Sequence, residues 1–62
     1  MTNKDDYYQM AVSARYIAEA SMDPEKYERA AELFIEVGMF AEAKYMLDRA
    51  QYYRGILEGE AE

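Results

Sequence analysis

The segment Ser21-Met22-Asp23-Pro24-Glu25 divides the chain and decides how it folds. Asp23 is a favourable N-cap residue, and Pro24 suits the first position of a helix because the N–H that it lacks would have no partner there. Glu25 places a negative charge at the positive end of the helix dipole. The segment therefore predicts the end of one helix and the start of another.

Glycine marks the next boundary, because Gly38 favours a left-handed stop at the end of the second helix. β-Branched residues never alternate along the chain, so no segment indicates a strand. The sequence predicts an all-α domain over residues 1–57, with helices near 3–20, 24–37 and 40–57, and a disordered acidic tail over 58–62. The short link between the last two helices predicts an antiparallel hairpin. The domain is then a three-helix bundle or an αα-hairpin with an extra N-terminal helix.

Apolar residues at helical spacing predict which side of each helix is buried. The expected core consists of Ala14, Ile17, Tyr27, Ala31, Phe34, Phe40, Ala43, Leu47 and Ala50.

The composition excludes several functional classes. The 62 residues include no Cys and no His, and 13 acidic against 7 basic residues give a net charge of −6. Histidine and cysteine metal ligands, thiolate nucleophiles and disulfides are therefore absent, and no Gly-rich phosphate loop occurs. We expect no enzymatic activity, no cofactor and no small-molecule substrate. Without a basic patch, direct binding of nucleic acid is disfavoured.

The N-terminal residues are too acidic for a signal peptide, and no apolar run approaches the roughly 20 residues that a membrane span requires. We expect a cytoplasmic protein that does not contact the membrane.

Residues 24–57 resemble one tetratricopeptide repeat, which has the same length of 34 residues. The positions that carry the resemblance are Tyr27, Ala30, Ala31 and Phe34 in the first helix, Gly38 and Phe40 at the turn, and Ala43, Leu47 and Ala50 in the second. Gly55 stands where the repeat has its closing Pro, and Ala31 replaces the Gly at the helix crossing. The resemblance implies a helical hairpin of the kind used for protein binding. A lone repeat needs further helices to bury its core, either from the first helix or from a second chain.

Tyrosine is unusually frequent in this sequence, with seven of the 62 residues. Tyr combines apolar area, a hydroxyl and few rotatable bonds, and is enriched at protein interfaces. We expect Tyr7, Tyr27 and Tyr53 to be buried at least in part. The residues expected to bind a partner are Tyr8, Tyr16, Tyr45, Tyr52 and Met46. The sequence therefore favours a small helical interaction module that binds a protein partner or forms a homodimer.

Three other interpretations remain open at this stage. The net charge and the glutamates at positions 25, 28, 32 and 36 are compatible with an acidic mimic that occupies the nucleic-acid-binding surface of another protein. The same glutamates are also compatible with a divalent metal site. Good capping residues and high Ala content also suit a structural subunit or a designed sequence.

Overall fold

The computed structural model describes residues 4–59, which form α1 (Lys4–Ser21), α2 (Pro24–Glu36) and α3 (Phe40–Gly59). No strand occurs among these residues. The all-α fold is therefore confirmed. The predicted start of the first helix at residue 3 and the last three residues of the predicted tail lie outside the described residues.

The turn between α1 and α2 has the capping geometry that the sequence predicts. The Asp23 carboxylate accepts a hydrogen bond of 2.9 Å from the Glu25 backbone N–H, and Pro24 occupies the first turn of α2. Met22 has a φ of 53°, in the left-handed region that non-glycine residues seldom adopt. Its N–H donates to the Ala18 carbonyl at 2.8 Å, which closes the last turn of α1.

Gly38 ends α2 as expected, with a φ of 78°. The Gly38 N–H donates to the Ile35 carbonyl at 3.0 Å, and the Met39 N–H donates to the Phe34 carbonyl at 2.9 Å. This pair of bonds is the Schellman motif, which satisfies the last carbonyls of a helix. The chain then reverses within three residues and begins α3 at Phe40.

The third helix is longer than predicted. It ends at Gly59 rather than at residue 57, so Glu58 and Gly59 are helical and do not belong to a disordered tail. Gly55 does not interrupt α3, because a glycine inside a helix costs only about 1 kcal/mol relative to Ala. The neighbouring residue Arg54 also ties this turn to α2 through an ion pair of 2.8 Å with Glu28.

The three helices pack with α2 between the other two. Both α1 and α3 pack extensively on α2, whereas α1 and α3 contact each other little. The Tyr27 ring near the start of α2 stacks on the Tyr53 ring near the end of α3, with 5.5 Å between centroids, so these helices are antiparallel. The Cα extents of 47 × 19 × 14 Å describe an elongated molecule. The architecture is an αα-hairpin, with α1 of the same chain packed on its first helix.

The core contains more alanine and fewer large residues than predicted. The buried apolar residues are Ala11, Ala18, Tyr27, Ala30, Ala31, Phe34, Ala43, Met46 and Ala50. Burial of Tyr27, Ala31, Phe34, Ala43 and Ala50 is thus confirmed, while Ala14 is partly buried against this core. Three assignments were wrong, because Ile17, Phe40 and Leu47 are exposed.

The wrong assignments have a common geometric cause. Successive residues of an α-helix point about 100° apart, so only one of two neighbours can face the adjacent helix. In α1, Ala18 is buried against the adjacent helix, whereas Ile17 points away from it and is exposed. In α3, Met46 is buried against the adjacent helix. Leu47 points away from that helix, as does Phe40, which lies seven residues earlier. Alanines at the helix–helix contacts let the helices approach closely, and the larger neighbouring side chains lie outside these contacts.

Candidate protein-interaction surfaces

The four tyrosines predicted to bind a partner are all exposed, from Tyr8 at 43% to Tyr16 at 67%. Met46 is different, because its exposure is 0%. Its assignment to the partner-binding surface is therefore corrected: this side chain lies inside the core, between α3 and α2, and offers no surface to a partner. Tyr7 and Tyr53 are half-buried, and Tyr27 is buried, as expected.

An ion pair marks the place where α1 and α3 meet. Arg15 Nη1 of α1 lies 3.0 Å from Glu42 Oε2 of α3. The same arginine reaches Glu19 on its own helix, with 3.6 Å between Nε and Oε2. That Nε is buried and makes no hydrogen bond. Since these side chains are partly exposed, the value of the pair is about 0–1 kcal/mol, but its geometry fixes which sides of the two helices adjoin.

The predicted tyrosines are distributed around this ion pair. Tyr16 directly follows the arginine of the pair, and Tyr8 precedes that arginine by seven residues, on the same side of α1. On α3, Tyr45 lies one turn after the paired glutamate, and Tyr52 lies two turns after Tyr45. Tyr16 and Tyr45 therefore lie beside the ion pair, while Tyr8 and Tyr52 lie about two and three turns from it along their helices, and all four rings are exposed. We call Tyr8, Tyr16, Tyr45 and Tyr52 the tyrosine face.

Arg49 organises the rings at one end of the tyrosine face. Its guanidinium carbon lies 5.0 Å from the centroid of the Tyr52 ring and 5.1 Å from that of the Tyr53 ring. It also donates a hydrogen bond of 2.9 Å to the Tyr53 hydroxyl. The Tyr52 and Tyr53 rings meet edge to face, with 5.2 Å between centroids. Arg49 precedes Tyr52 and Tyr53 by three and four residues, a spacing at which side chains meet on the surface of a helix. The sequence prediction missed this signal for the arginine–tyrosine cluster.

Burial and neighbouring side chains shift the pKa values of Tyr27 and Arg49 in this cluster. Burial raises the pKa of the Tyr27 hydroxyl above 10, and the neighbouring Arg49 guanidinium offsets part of this increase. Desolvation alone would lower the pKa of Arg49, but its hydrogen bond with the Tyr53 hydroxyl raises it. The arginine therefore stays charged and the buried tyrosine stays neutral at physiological pH, which suits a structural role for both.

A second apolar surface consists of residues that the sequence prediction placed in the core or left unassigned. Glu28 and Ile35 share one side of α2, and Leu47 and Arg54 share one side of α3, because each pair is seven residues apart. The Arg54–Glu28 ion pair brings these two sides together. Since the helices are antiparallel, Ile35 then comes beside Leu47, and Phe40 continues the row. We call Ile35, Phe40 and Leu47 the α2–α3 groove.

A third surface lies between α1 and α2. A cavity of about 330 Å³ is open to solvent there and is lined mainly by apolar side chains, including Met10, Ile17 and Leu33. An adjoining cavity of about 250 Å³ is lined by Ala14, Ile17, Lys26 and Arg29. We call the two together the α1–α2 trough. Met10 and Ile17 are seven residues apart, a spacing that predicts one shared side of α1 but not whether that side is buried.

The outer side of α2 is acidic. Glu25, Glu32 and Glu36 are exposed and form no ion pair with any side chain from residue 5 to residue 59, while Glu28 is paired with Arg54. Within the described part of the chain, no group of three or more acidic side chains is arranged to hold a metal ion. None of the helices formed by residues 4–59 combines the length and apolar character required to cross a bilayer.

The chain matches no protein-family model, and no curated protein and no solved structure is significantly similar to it. The surfaces available for an interaction are the three apolar surfaces and the acidic side of α2.

Proposed function

We propose that this chain is a small α-helical protein-interaction module that self-associates through its tyrosine face. The observation that supports the proposal is the distribution of large apolar side chains. Within the described residues, twelve large hydrophobic side chains are exposed, whereas Tyr27, Phe34 and Met46 are the only buried residues of the core larger than alanine. A partner that covers some of these side chains would remove apolar surface from water, which favours association.

The tyrosine face is the surface best suited to this contact. Its rings carry hydroxyl groups that tolerate water in the free protein and donate hydrogen bonds in a complex. Arg49 restrains the Tyr52 ring, with 5.0 Å between the guanidinium carbon and the ring centroid, so less side-chain entropy is lost on binding. The face is formed by two helices that both pack on α2 and meet at the Arg15–Glu42 pair. A homodimer formed through it has two-fold symmetry.

We further propose that α2 and α3 form a single tetratricopeptide-like repeat. The antiparallel hairpin, the Gly38 turn and the small residues Ala31, Ala43 and Ala50 at the buried contact support this assignment. In this reading α1 covers one side of α2 as a helix of a neighbouring repeat would, which compensates for the instability of a lone repeat. The cytoplasmic location expected from the sequence stays a prediction.

Sedimentation velocity at micromolar concentration tests self-association through the tyrosine face. We expect the double variant Tyr16→Ala and Tyr45→Ala to weaken association at least tenfold, because Tyr→Ala at the centre of an interface commonly costs about 2 kcal/mol. Far-UV circular dichroism should be unchanged, since both rings are exposed.

Phe40→Ala is the matched control, because this ring is 66% exposed but lies in the α2–α3 groove. It should leave association unchanged. If Phe40→Ala dissociates the oligomer and the double tyrosine variant does not, the groove is the interface and the tyrosine face is not. A wild-type chain that stays monomeric at every concentration refutes self-association altogether.

The alternative function is that of an acidic mimic, and the unpaired carboxylates of Glu25, Glu32 and Glu36 favour it. Salt dependence separates the two functions. Binding that relies on carboxylates weakens steeply as ionic strength rises, because exposed charges more than a Debye length apart are screened. Apolar self-association changes little over the same range. Competition of partner binding by duplex DNA would favour the mimic.

A further inference from the structure

The α1–α2 trough combines an apolar surface with unused positive charge. Four of the basic residues between positions 5 and 59 have identified side-chain partners: Arg15 with Glu19 and Glu42, Lys44 with Asp48, Arg54 with Glu28, and Arg49 with its tyrosines. The remaining two basic residues of this range, Lys26 and Arg29, form no ion pair. Both line the trough.

This arrangement is notable in a chain with a net charge of −6. Glu25 lies four residues before Arg29 on α2, the spacing at which oppositely charged side chains pair on a helix, yet these two residues form no ion pair. Arg29 instead borders both cavities of the trough, beside Ile17. Lys26 and Arg29 also border the acidic side of α2, beside Asp23, Glu25, Glu28 and Glu32, but form no ion pair with them. Their two charges are thus available to a carboxylate from outside the chain.

The two ends of the trough differ in chemistry. Met10 and Leu33 line the cavity of about 330 Å³ without any basic residue other than Arg29. Ile17 and Arg29 line both cavities, and Lys26, three residues before Arg29 on α2, lines only the cavity of about 250 Å³. Met10 and Ile17 are seven residues apart, which corresponds to about 10 Å or two helical turns. A ligand that fits this surface has apolar side chains over two turns, followed by acidic ones.

We propose that the α1–α2 trough binds an acidic amphipathic helix of a partner protein. Apolar residues of that helix at positions i, i+3 and i+7 cover Met10, Ile17 and Leu33, and its carboxylates pair with Lys26 and Arg29. Helices commonly bind apolar grooves through anchors at this spacing. The proposal goes beyond self-association, because the trough lies on a different side of α1 from the tyrosine face and uses none of its residues.

The probe is a synthetic amphipathic peptide of about 15 residues, or about four turns. It carries leucines at i, i+3 and i+7 and glutamates beyond one end of that row, and its twin has glutamine in place of each glutamate. Fluorescence anisotropy measures the affinity of both peptides for the full chain. We expect the glutamate peptide to bind about tenfold more tightly than its twin at low salt, since two partly exposed charge pairs contribute.

Variants of the chain locate the site. Lys26→Gln with Arg29→Gln should abolish the preference for the glutamate peptide and leave the affinity for the glutamine peptide unchanged. Ile17→Ser should weaken binding of both peptides. Lys44→Gln removes an exposed positive charge outside the trough and should change neither affinity. Tyr16→Ala with Tyr45→Ala should also have no effect.

Three results would overturn the proposal. One is equal affinity of the two peptides for the wild-type chain, and a second is loss of the preference in the Lys44→Gln control. The third is the absence of any binding at peptide concentrations up to about 1 mM. Self-association through the tyrosine face is measured without peptide, so either proposal can fail while the other stands.

Discussion

Met46 and Leu47 are adjacent residues of similar size with opposite environments, and they provide a sharp test of the packing. Met46 is 0% exposed, whereas Leu47 is 41% exposed. Replacing a fully buried Met by Ala typically costs about 2–5 kcal/mol. Leu47→Ala should cost about 1 kcal/mol, because only part of its apolar area is buried and Ala has the better helix propensity.

These costs are large relative to the stability of so small a domain. At about 0.05–0.15 kcal/mol per residue, 62 residues correspond to a free energy of unfolding of about 3–9 kcal/mol. Urea unfolding followed by circular dichroism measures the effect, with a slope near 1 kcal/mol per molar for a chain of this size. The midpoint should then fall by about 2 M or more for Met46→Ala, and by about 1 M for Leu47→Ala.

Met46→Leu is the control for size, and its cost should stay below about 1.5 kcal/mol because it nearly conserves volume. If Met46→Ala does not fold at all while Leu47→Ala does, the order of the two effects is still established. A larger loss of stability in Leu47→Ala than in Met46→Ala would show that the contact side of α3 has been assigned incorrectly, and the α2–α3 groove would then be part of the core.

Three further substitutions or titrations test other parts of the fold. Phe34→Ala should cost about 3–5 kcal/mol and unfold much of the population, because the ring is buried; an unchanged melting curve contradicts its place in the core. Asp23→Ala should cost about 1 kcal/mol in urea unfolding, since it removes the acceptor of the 2.9 Å capping bond from the Glu25 N–H, whereas Asp23→Asn should restore most of the loss. In a pH titration followed by absorbance near 295 nm, Tyr27 should ionise at a higher pH than an unperturbed tyrosine, and Tyr27→Phe should remove this high-pH step. Because the pKa of Tyr27 is raised in the folded chain, its contribution to stability is complete below pH 10 and is lost as the pH rises through the folded-state pKa.

The helix boundaries were predictable because a few residues have specific backbone chemistry. Asp23 caps α2 through its carboxylate, and Gly38 adopts a left-handed φ of 78°. Such effects are local and do not depend on how the helices pack. Met22 shows the limit of this reasoning, because it adopts a φ of 53° at a position where its residue type gives no indication of a left-handed turn.

The orientation of α1 and α3 was harder to predict than their length. Apolar residues occur on several sides of both helices, so spacing alone leaves a choice between sides such as those of Ile17 and Ala18. Burial of large side chains is the usual guide, and it selects the wrong side here. The packing instead places alanine at most of the contacts, and the larger residues line the tyrosine face, the groove and the trough.

The tyrosines of the candidate interface were predicted to be exposed from their number, since a core this small cannot contain seven rings. Their position around the Arg15–Glu42 pair was not predictable, because it depends on a contact between residues 27 positions apart. The grouping of Lys26 and Arg29 with Ile17 likewise depends on the packing of α1 against α2.

The central position of α2 has a consequence for hydrogen exchange. Because α1 and α3 contact each other little, either can separate from α2 and leave the opposite interface intact. Opening of α2 requires both interfaces to be lost at once, so its amides report the global free energy of unfolding. The shortest helix, with 13 residues, should therefore exchange its amide protons most slowly, although isolated helices of that length are barely stable in water.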